Sequence, residues 1–590
     1  MQSLTQHLTT LLSDTFAAAG YDRSYGEVVV SNRPDLGQFQ CNGALPAAKA
    51  YGQKPRDIAQ QIVERLPQSA DIFADISLAG PGFINLTLTD AFLGQWLQTM
   101  ADDQRLGIAA VTTPQRVVVD YGGANVAKPM HVGHLRAGII GESIKRLFRF
   151  MGDDVIGDVH LGDWGTQMGM IIVELAHRHP DWPYFDTDNT GPFPAESPIT
   201  LTDLEEIYPA ASARAKNDPT VMEAARQATM ELQNGHPGYR ALWQHFVDVS
   251  VAGLREDYGA LDIHFDLWLG ESDANDHVEE MIARLQAQGY TSESQGALIM
   301  DISLPDDNEP MPPLILRKSD GAVMYGTTDL ATIDLRVQEL RAQLILYVVD
   351  HRQQQHFKQV FRAAYKSGIT PPQVGLEHNY FGTMNGKDGK PFKTRAGGVM
   401  KLKDLIQLVI EAALARMAES HVADEYEEAE RLEIARRVGL AALKYADLMN
   451  QRTKDYIFDL DRFSSFEGRT GPYLLYTTVR ARSILTKAAA QGLEPGALLP
   501  PTVDAERTLL LQLAQLPDAL RMAYETRMPN HMADYIYTLA NEFNRFYNAC
   551  HILSATDTAV QSSWLGITQL FARVSELVLM LLGIEIPERM

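Results

Sequence analysis

The sequence predicts an α/β protein: a parallel-sheet core, preceded by a small α/β domain and followed by an all-α domain. Three observations carry that prediction. Between 116 and 160 a β-branched strand, a loop, an apolar-periodic helix and a second strand follow one another. A further buried strand, 344–349, returns late in the chain. From about 405 to the end the periodicity is almost wholly helical.

Taken in order, residues 1–110 open with an amphipathic helix. Gly80-Pro81-Gly82 then leads into Phe83-Ile84-Asn85-Leu86-Thr87-Leu88, whose alternation predicts a half-buried strand. A Thr-Thr-Pro turn at 112–114 separates this domain from the next. The run 116–121, Arg-Val-Val-Val-Asp-Tyr, predicts a strand buried on both faces. After a Gly- and Pro-rich loop, Leu135, Ile139, Ile140, Ile144, Leu147, Phe148 and Met151 recur at helical spacing. Arg136, Glu142, Lys145, Arg146 and Arg149 take the other positions, and 155–160 predicts the second strand. This order begins a doubly wound, Rossmann-type sheet over 111–404. A polar, Pro-rich stretch at about 180–250 is the candidate insertion. Residues 405–590 form the helical domain, with long segments at 426–451, 505–526 and 531–549.

Composition fits several domains, since 590 residues exceed what one hydrophobic core supports. Apolar residues make up 45% and charged residues 22%, an ordinary globular balance. No run of eighteen apolar residues appears, and the first nineteen residues lack a secretory pattern, so a cytoplasmic protein is expected. Cys41 and Cys550 are too few for a disulfide framework or a cysteine-based zinc site. A net charge of −23 argues against general nucleic-acid binding, though a local basic strip can still hold one RNA.

The strongest motif is His131-Val132-Gly133-His134, at the start of the helix after the first buried strand. Free backbone N–H groups and the helix dipole favour phosphate there. Two imidazoles on one turn can donate hydrogen bonds to charge developing in a transition state. Gly133 leaves room for a flat ring against the backbone. The plainer alternatives are a satisfied histidine pair or surface cap, and a zinc site that lacks a nearby third ligand. A second basic stretch, 386–398, reads by itself as a solvated loop.

The longer strings point further. Asn125-Val126-Ala127-Lys128-Pro129-Met130-His131-Val132-Gly133-His134-Leu135-Arg136 resembles the His-Ile-Gly-His region of class I aminoacyl-tRNA synthetases, and of arginyl-tRNA synthetases in particular. Gly162-Asp163-Trp164-Gly165-Thr166-Gln167, Tyr325-Gly326-Thr327-Thr328-Asp329-Leu330-Ala331 and Arg352-Gln353-Gln354-Gln355-His356-Phe357 are similar to the same family, in its order. So are Gly389-Lys390-Pro391-Phe392-Lys393-Thr394-Arg395 and the closing Glu588-Arg589-Met590.

The resemblance implies an arginine–tRNA ligase that activates L-arginine with ATP and passes it to the 3′ end of its tRNA. It implies catalytic roles for His131, His134, Lys128, Lys390 and Lys393, the last two matching the lysines of the family's Lys-Met-Ser-Lys loop. It places ATP on these residues together with Gly133, Gly162, Asp163 and His356. Asp120, Asn125, Tyr325, Asp329 and Gln353 would line the arginine pocket, with Asp329 and Tyr325 at the guanidinium. A carboxylate can take two parallel N–H bonds from that fork, which lysine cannot reproduce. Taken alone, Asp120 at a strand end and Tyr325 before a turn read more often as structural residues than as pocket residues. ATP would enter as its Mg²⁺ complex, with no tightly bound metal on the protein.

One loop departs from the family, which has Ser-x-Pro-Asn where this chain has Gly122-Gly123-Ala124-Asn125. Losing the hydroxyl and the proline ring predicts a more flexible loop and puts the arginine affinity in question.

For the tRNA, the resemblance casts residues 1–110 as the domain that touches the tRNA elbow. Phe39 would stack on an unpaired base and Asn42 read its edge, the alternative being that Phe39 is core. Residues 405–590 resemble the anticodon-binding domain, and Asp518-Ala519-Leu520-Arg521 matches its eponymous string. Tyr476, Arg480, Tyr535 and Met590 are the candidate contacts, with Arg469, Arg480, Arg482 and Lys487 as the basic strip. On periodicity alone, Tyr535 and Tyr537 read as helix packing. The family further implies activation that requires bound tRNA, and a monomer. Two other functions share features with this reading: an adenylyl transferase acting on a small molecule, and a non-catalytic RNA-binding relative.

Overall fold

The computed structural model describes residues 2–66, 71–309, 311–319, 321–390, 400–421 and 425–590. They group into two compact units: one holds 111–413 with 446–463, the other 1–110, 414–445 and 464–590. The first domain in the chain and most of the last helices therefore share one unit, a grouping that chain order does not disclose.

The first of these units is built on a parallel sheet of Gly375–His378, Leu344–Val348, Arg116–Tyr121 and Asp154–Asp158, in that spatial order. Val117, Val118, Val119, Ile345 and Leu346 are fully buried, which explains the unbroken β-branched and aliphatic runs. The second strand stops at Asp158, short of the expected 160, and His160 lies just beyond it at φ 41°. Between this strand and Leu344–Val348 come the helices Leu201–Asn217, Pro219–Gln233 and Pro237–Ala260, so the polar stretch near 180–250 is largely helical. Glu271–Ala287 and a three-stranded antiparallel sheet follow.

The helix after the histidine motif, Val132–Met151, is buried on almost every face. Its polar residues are internal anchors. Arg136, 2% exposed, pairs with Asp447 at 2.9 Å and donates to the Gly382 carbonyl at 2.7 Å. Glu142 accepts from Lys145 and Arg146, each at 2.8 Å, and from the Tyr121 hydroxyl at 2.7 Å. Buried charges survive only when paired in this way.

In the other unit, helix Leu4–Ala18 starts at a Ser3–Gln6 capping box and packs beside an antiparallel sheet. The sheet runs Val28–Val30, Phe39–Cys41, Phe83–Leu88, Phe73–Ala79. The stretch 505–526 is two helices, Asp504–Leu513 and Leu516–Thr526, because Pro517 starts a helix and cannot continue one. Thr558–Leu581 is long and apolar enough to cross a membrane, but 67% of its most apolar window is buried in the helical bundle. Ser3 donates to Asp518 at 2.6 Å and Thr5 donates to its other oxygen, so the Asp of Asp518-Ala519-Leu520-Arg521 ties the N-terminal helix to the C-terminal bundle.

Candidate functional site

Strands Arg116–Tyr121 and Leu344–Val348 lie side by side and parallel, Asp120 opposite Tyr347. Their following connections run to opposite sides of the sheet order, which opens a crevice beyond their carboxyl ends. The His131 motif enters this crevice from the first strand, and the 349–353 loop enters from the second.

His131 is the N-cap of its helix. Its Nδ1 accepts from the Gly133 N–H at 3.0 Å, and its own N–H donates to His134 Nδ1 at 3.2 Å. The rings stack at 3.9 Å. With both Nδ1 atoms accepting, the proton of each neutral ring sits on Nε2 and is free to be donated. Burial, then the neighbouring His131 and Lys128, push His134 down to about 3; burial and Lys128 also lower His131. Both are therefore uncharged donors near neutral pH. The ring lying against Gly133 is that of His131 itself, since a Cβ there would sit 2.7 Å from it.

The motif is braced by its partners. Val132 N–H donates to Met400 O at 3.1 Å and Leu402 N–H to Met130 O at 3.0 Å. Lys401, between them, pairs with Glu205 at 2.6 Å. Lys128 follows Ala127, whose φ is 62° and whose N–H donates to Ser250 at 2.9 Å. Lys390 is exposed on a tight turn, its carbonyl accepting from Gly386 N–H at 2.8 Å. Lys393 lies outside the described residues. The Gly122–Ala127 loop is held, against the flexibility expected of its glycines. Gly123 N–H donates to Val159 O at 3.3 Å, Gly162 N–H to Ala124 O at 3.0 Å and Val126 N–H to Gly162 O at 3.0 Å.

Across the crevice, helix Tyr325–Gln338 places Asp329 one turn after Tyr325. Asp329 Oδ2 lies 2.5 Å from His356 Nε2, and its Oδ1 lies 3.9 Å from His160 Nε2. The Tyr325 ring stacks on His356 at 4.4 Å. Tyr325 is 46% exposed; desolvation of its phenol against the crevice wall and the nearby Asp329 and Glu271 carboxylates raise that phenol above its ordinary range. Glu271, at the start of helix Glu271–Ala287, is pushed up to about 7, chiefly by burial and further by Asp329 and Asp163. Sequence reasoning missed Glu271, because a Gly-Glu-Ser helix start carries no signal that its first acid turns inward.

Two of the other expected residues, Asp120 and Asp163, are engaged elsewhere. Asp120 is 5% exposed and pairs with Arg336 at 2.7 Å, so its carboxylate is spent inside the sheet and is not open to the pocket. Asp163 caps a helix, accepting from Ser272 N–H at 3.0 Å and from its hydroxyl at 2.5 Å, which leaves little for ATP. Asn125 is steered by Gln167 at 3.4 Å, and a Cβ on Gly162 would meet the Asn125 oxygen at 2.3 Å, so a larger residue there would displace that side chain. Gln353 is half-buried and precedes helix Gln354–Lys366. His356 faces Asp329 rather than the His131 motif.

In the other unit, Phe39 is 2% exposed and offers no face to a base. Asn42 is exposed, on the rim of a cavity of about 320 Å³ that Tyr25 and Leu45 also line. Tyr535 is a core residue, 5% exposed, its hydroxyl against the Leu513 carbonyl. Tyr476 is 36% exposed, with the Arg480 guanidinium 4.7 Å from its ring centre. Arg480 also lies 5.3 Å from the ring of Tyr547, an exposed aromatic that the sequence did not single out. Arg469 and Arg482 are paired with Asp534 and Glu576, so they give the strip little net charge, whereas Lys487 is exposed. Met590 is half-buried beside Arg589, which pairs with Glu430 at 2.7 Å.

Comparison with known proteins follows the same layout. Residues 2–88 match the arginyl tRNA synthetase N-terminal domain, 96–460 the catalytic domain of class I tRNA synthetases (R), and 474–590 the DALR anticodon binding domain. The chain is 52% identical to an arginine–tRNA ligase of Alkaliphilus oremlandii and 48% identical to one of Maricaulis maris, each over 100% of both chains. The arginyl-tRNA synthetase structure from Plasmodium falciparum superposes with a TM-score of 0.83 at 25% identity, covering 100% of both chains. That from Thermus thermophilus gives 0.80 at 23%, again over 100% of both. On these matches, end to end, the chain belongs to the arginyl-tRNA synthetase family of class I aminoacyl-tRNA synthetases.

Proposed function

We propose that this chain carries out the arginine–tRNA ligase reaction with the following division of labour. Arginine's guanidinium enters between Asp329 and Glu271, with Tyr325 alongside and Asn125 and Gln353 toward the amino-acid end. ATP, as its magnesium complex, lies over the His131 motif. The arginine carboxylate attacks the α-phosphate in line, forming arginyl-adenylate and releasing pyrophosphate. The two neutral imidazoles donate Nε2–H bonds to oxygens on which charge grows, and Lys128 and Lys390 follow the departing pyrophosphate as mobile point charges. A ribose hydroxyl at the tRNA 3′ end then attacks the adenylate carbonyl, giving arginyl-tRNA and AMP.

The observation that carries the choice of amino acid is the pair of inward carboxylates, Asp329 and Glu271; burial, and further the Asp329 carboxylate, raise Glu271 to about 7. A pocket with surplus negative charge is completed by a cation. Its planar partners Tyr325 and His356 suit a flat guanidinium better than an ammonium. Tyr476, Arg480 and Tyr547 supply the stacking surface for single-stranded bases.

The test is ATP–pyrophosphate exchange with arginine, lysine or glutamine, each with and without total tRNA. Exchange confined to arginine supports the assignment. Exchange with another amino acid, or binding of tRNA with no exchange under any condition, overturns it.

A further inference from the structure

We infer that His356 is a positioning residue for arginine, acting through Asp329, and makes no contact with ATP. The inference rests on the reading of Asp329 as the guanidinium partner. His356 Nε2 lies 2.5 Å from Asp329 Oδ2, and its ring stacks on Tyr325 at 4.4 Å with the planes 29° apart. One imidazole therefore touches both side chains that the guanidinium end of the pocket needs. Those two stand on one helix, Tyr325–Gln338, whereas His356 comes from another, Gln354–Lys366.

The physical need for such a group is specific. The terminal torsion of an aspartate is broad, so its carboxylate plane is weakly fixed by its own rotamer. Two parallel bonds to a guanidinium demand that plane within a narrow range. A donor on Oδ2 fixes it, and directs Oδ1 toward the side where His160 stands 3.9 Å away. The stack with Tyr325 in turn sets the angle of the imidazole.

Two substitutions separate the parts. His356→Phe keeps a ring for Tyr325 and removes the donor; His356→Gln keeps an N–H donor and removes the ring. Steady-state aminoacylation is measured on the full chain with total tRNA, varying arginine and ATP separately. His356→Phe is expected to raise KM for arginine by roughly 10- to 100-fold, with KM for ATP changed less than about twofold. His356→Gln is expected to recover most of that loss. A rise in KM for ATP with arginine unaffected overturns the inference, as does equal damage by both substitutions confined to kcat. Should the Phe variant fail to fold, the His356 Nε2 resonance of the ¹⁵N-histidine-labelled parent decides. It shifts on adding arginine and not on adding ATP if the inference holds, and the reverse sinks it. Asp329→Asn is the control: an unchanged arginine KM in that variant removes the underlying pocket reading. A raised KM there, with His356→Phe silent, removes only the role of His356.

Discussion

Arg336 lies 2.7 Å from Asp120 and 2.7 Å from Asp158, two carboxylates on adjacent strands held by one guanidinium that is 1% exposed. Asp120 and Asp158 are register partners in the parallel sheet, so without Arg336 two buried like charges would face each other. Arg336 stands on the helix that carries Asp329, and it thereby fixes that helix to the sheet. Asp120→Asn is expected to cost about 1–3 kcal/mol of stability, because it removes one of the two carboxylates on the buried guanidinium while the Arg336–Asp158 pair remains. KM for arginine should stay within about twofold of the parent, since Asp120 does not reach the pocket. Denaturant unfolding and arginine titration of activity check the two halves. A large arginine KM effect in a fully folded variant would return Asp120 to the pocket.

Glu271 gives the pocket a pH dependence. Its carboxyl is raised to about 7, so in the empty site it is substantially protonated at pH 6 and mostly ionised at pH 8. Guanidinium binding favours the ionised form, and a proton must leave whenever arginine enters below pH 7. KM for arginine is therefore expected to rise about tenfold from pH 8 to pH 6, one proton per site. Glu271→Gln should flatten that profile while raising KM at pH 8. A flat profile in the parent enzyme would remove Glu271 from arginine binding.

His134 sets a second, separate pH effect, on stability. Its folded pKa is lowered to about 3, chiefly by burial, so the unfolded chain binds the proton more readily. Stability is fully present above the unfolded histidine value and declines as pH falls from there toward 3. His134→Gln should weaken this decline, measured as the unfolding midpoint from pH 7 to pH 4. Because the imidazole donates while uncharged, His134→Ala should lower kcat of pyrophosphate exchange by about 10²–10³, with KM for ATP changed far less. A KM effect alone would mean that His134 only binds ATP.

The two tyrosines proposed for tRNA separate by burial. Tyr476→Ala removes an exposed ring stacked with Arg480 and is expected to cost about 1–3 kcal/mol of tRNA binding, with little change in unfolding. Tyr535→Ala removes a ring that is 5% exposed and should destabilise the bundle by about 3–5 kcal/mol, with tRNA affinity unchanged in the folded protein. Filter binding of tRNA at fixed salt, paired with thermal unfolding, distinguishes the two. Equal loss of tRNA binding in both would restore Tyr535 as a contact.

The sheet, the position of the His131 helix and the helical C-terminal region were legible because period and β-branching act locally. Asp329 and the histidine pair were legible from strings similar to a family. What was not legible depends on partners distant in the chain. Arg136 looks like a surface residue on its helix until Asp447 arrives from 311 residues away. Asp518 looks like part of an RNA-binding string until Ser3 is seen to donate to it across 515 residues. Phe39 and Asn42 fall close together in one string, yet strand pairing buries the first and exposes the second. Glu271 became visible only when burial and neighbouring carboxylates could be read.

The glycines at 122 and 123 invite a final test, because the family's serine cannot simply be returned to this loop. Gly122 has φ 99° and Gly123 φ 57°, both in the left-handed region that favours glycine. A Cβ on Gly122 would lie 2.7 Å from the Tyr258 hydroxyl and 3.0 Å from Phe265. Tyr258 is 1% exposed, so its ring cannot yield cheaply. Gly122→Ser is therefore expected to lose about 1–3 kcal/mol of stability through backbone strain and to weaken arginine binding. Gly123→Ser meets nothing within 4 Å and keeps only the dihedral cost, so it should be milder. Tyr258→Phe combined with Gly122→Ser should recover part of the loss by removing the clashing oxygen. If Gly122→Ser alone tightens arginine binding, the loop is compensating for a missing hydroxyl and its glycines are not demanded by Tyr258.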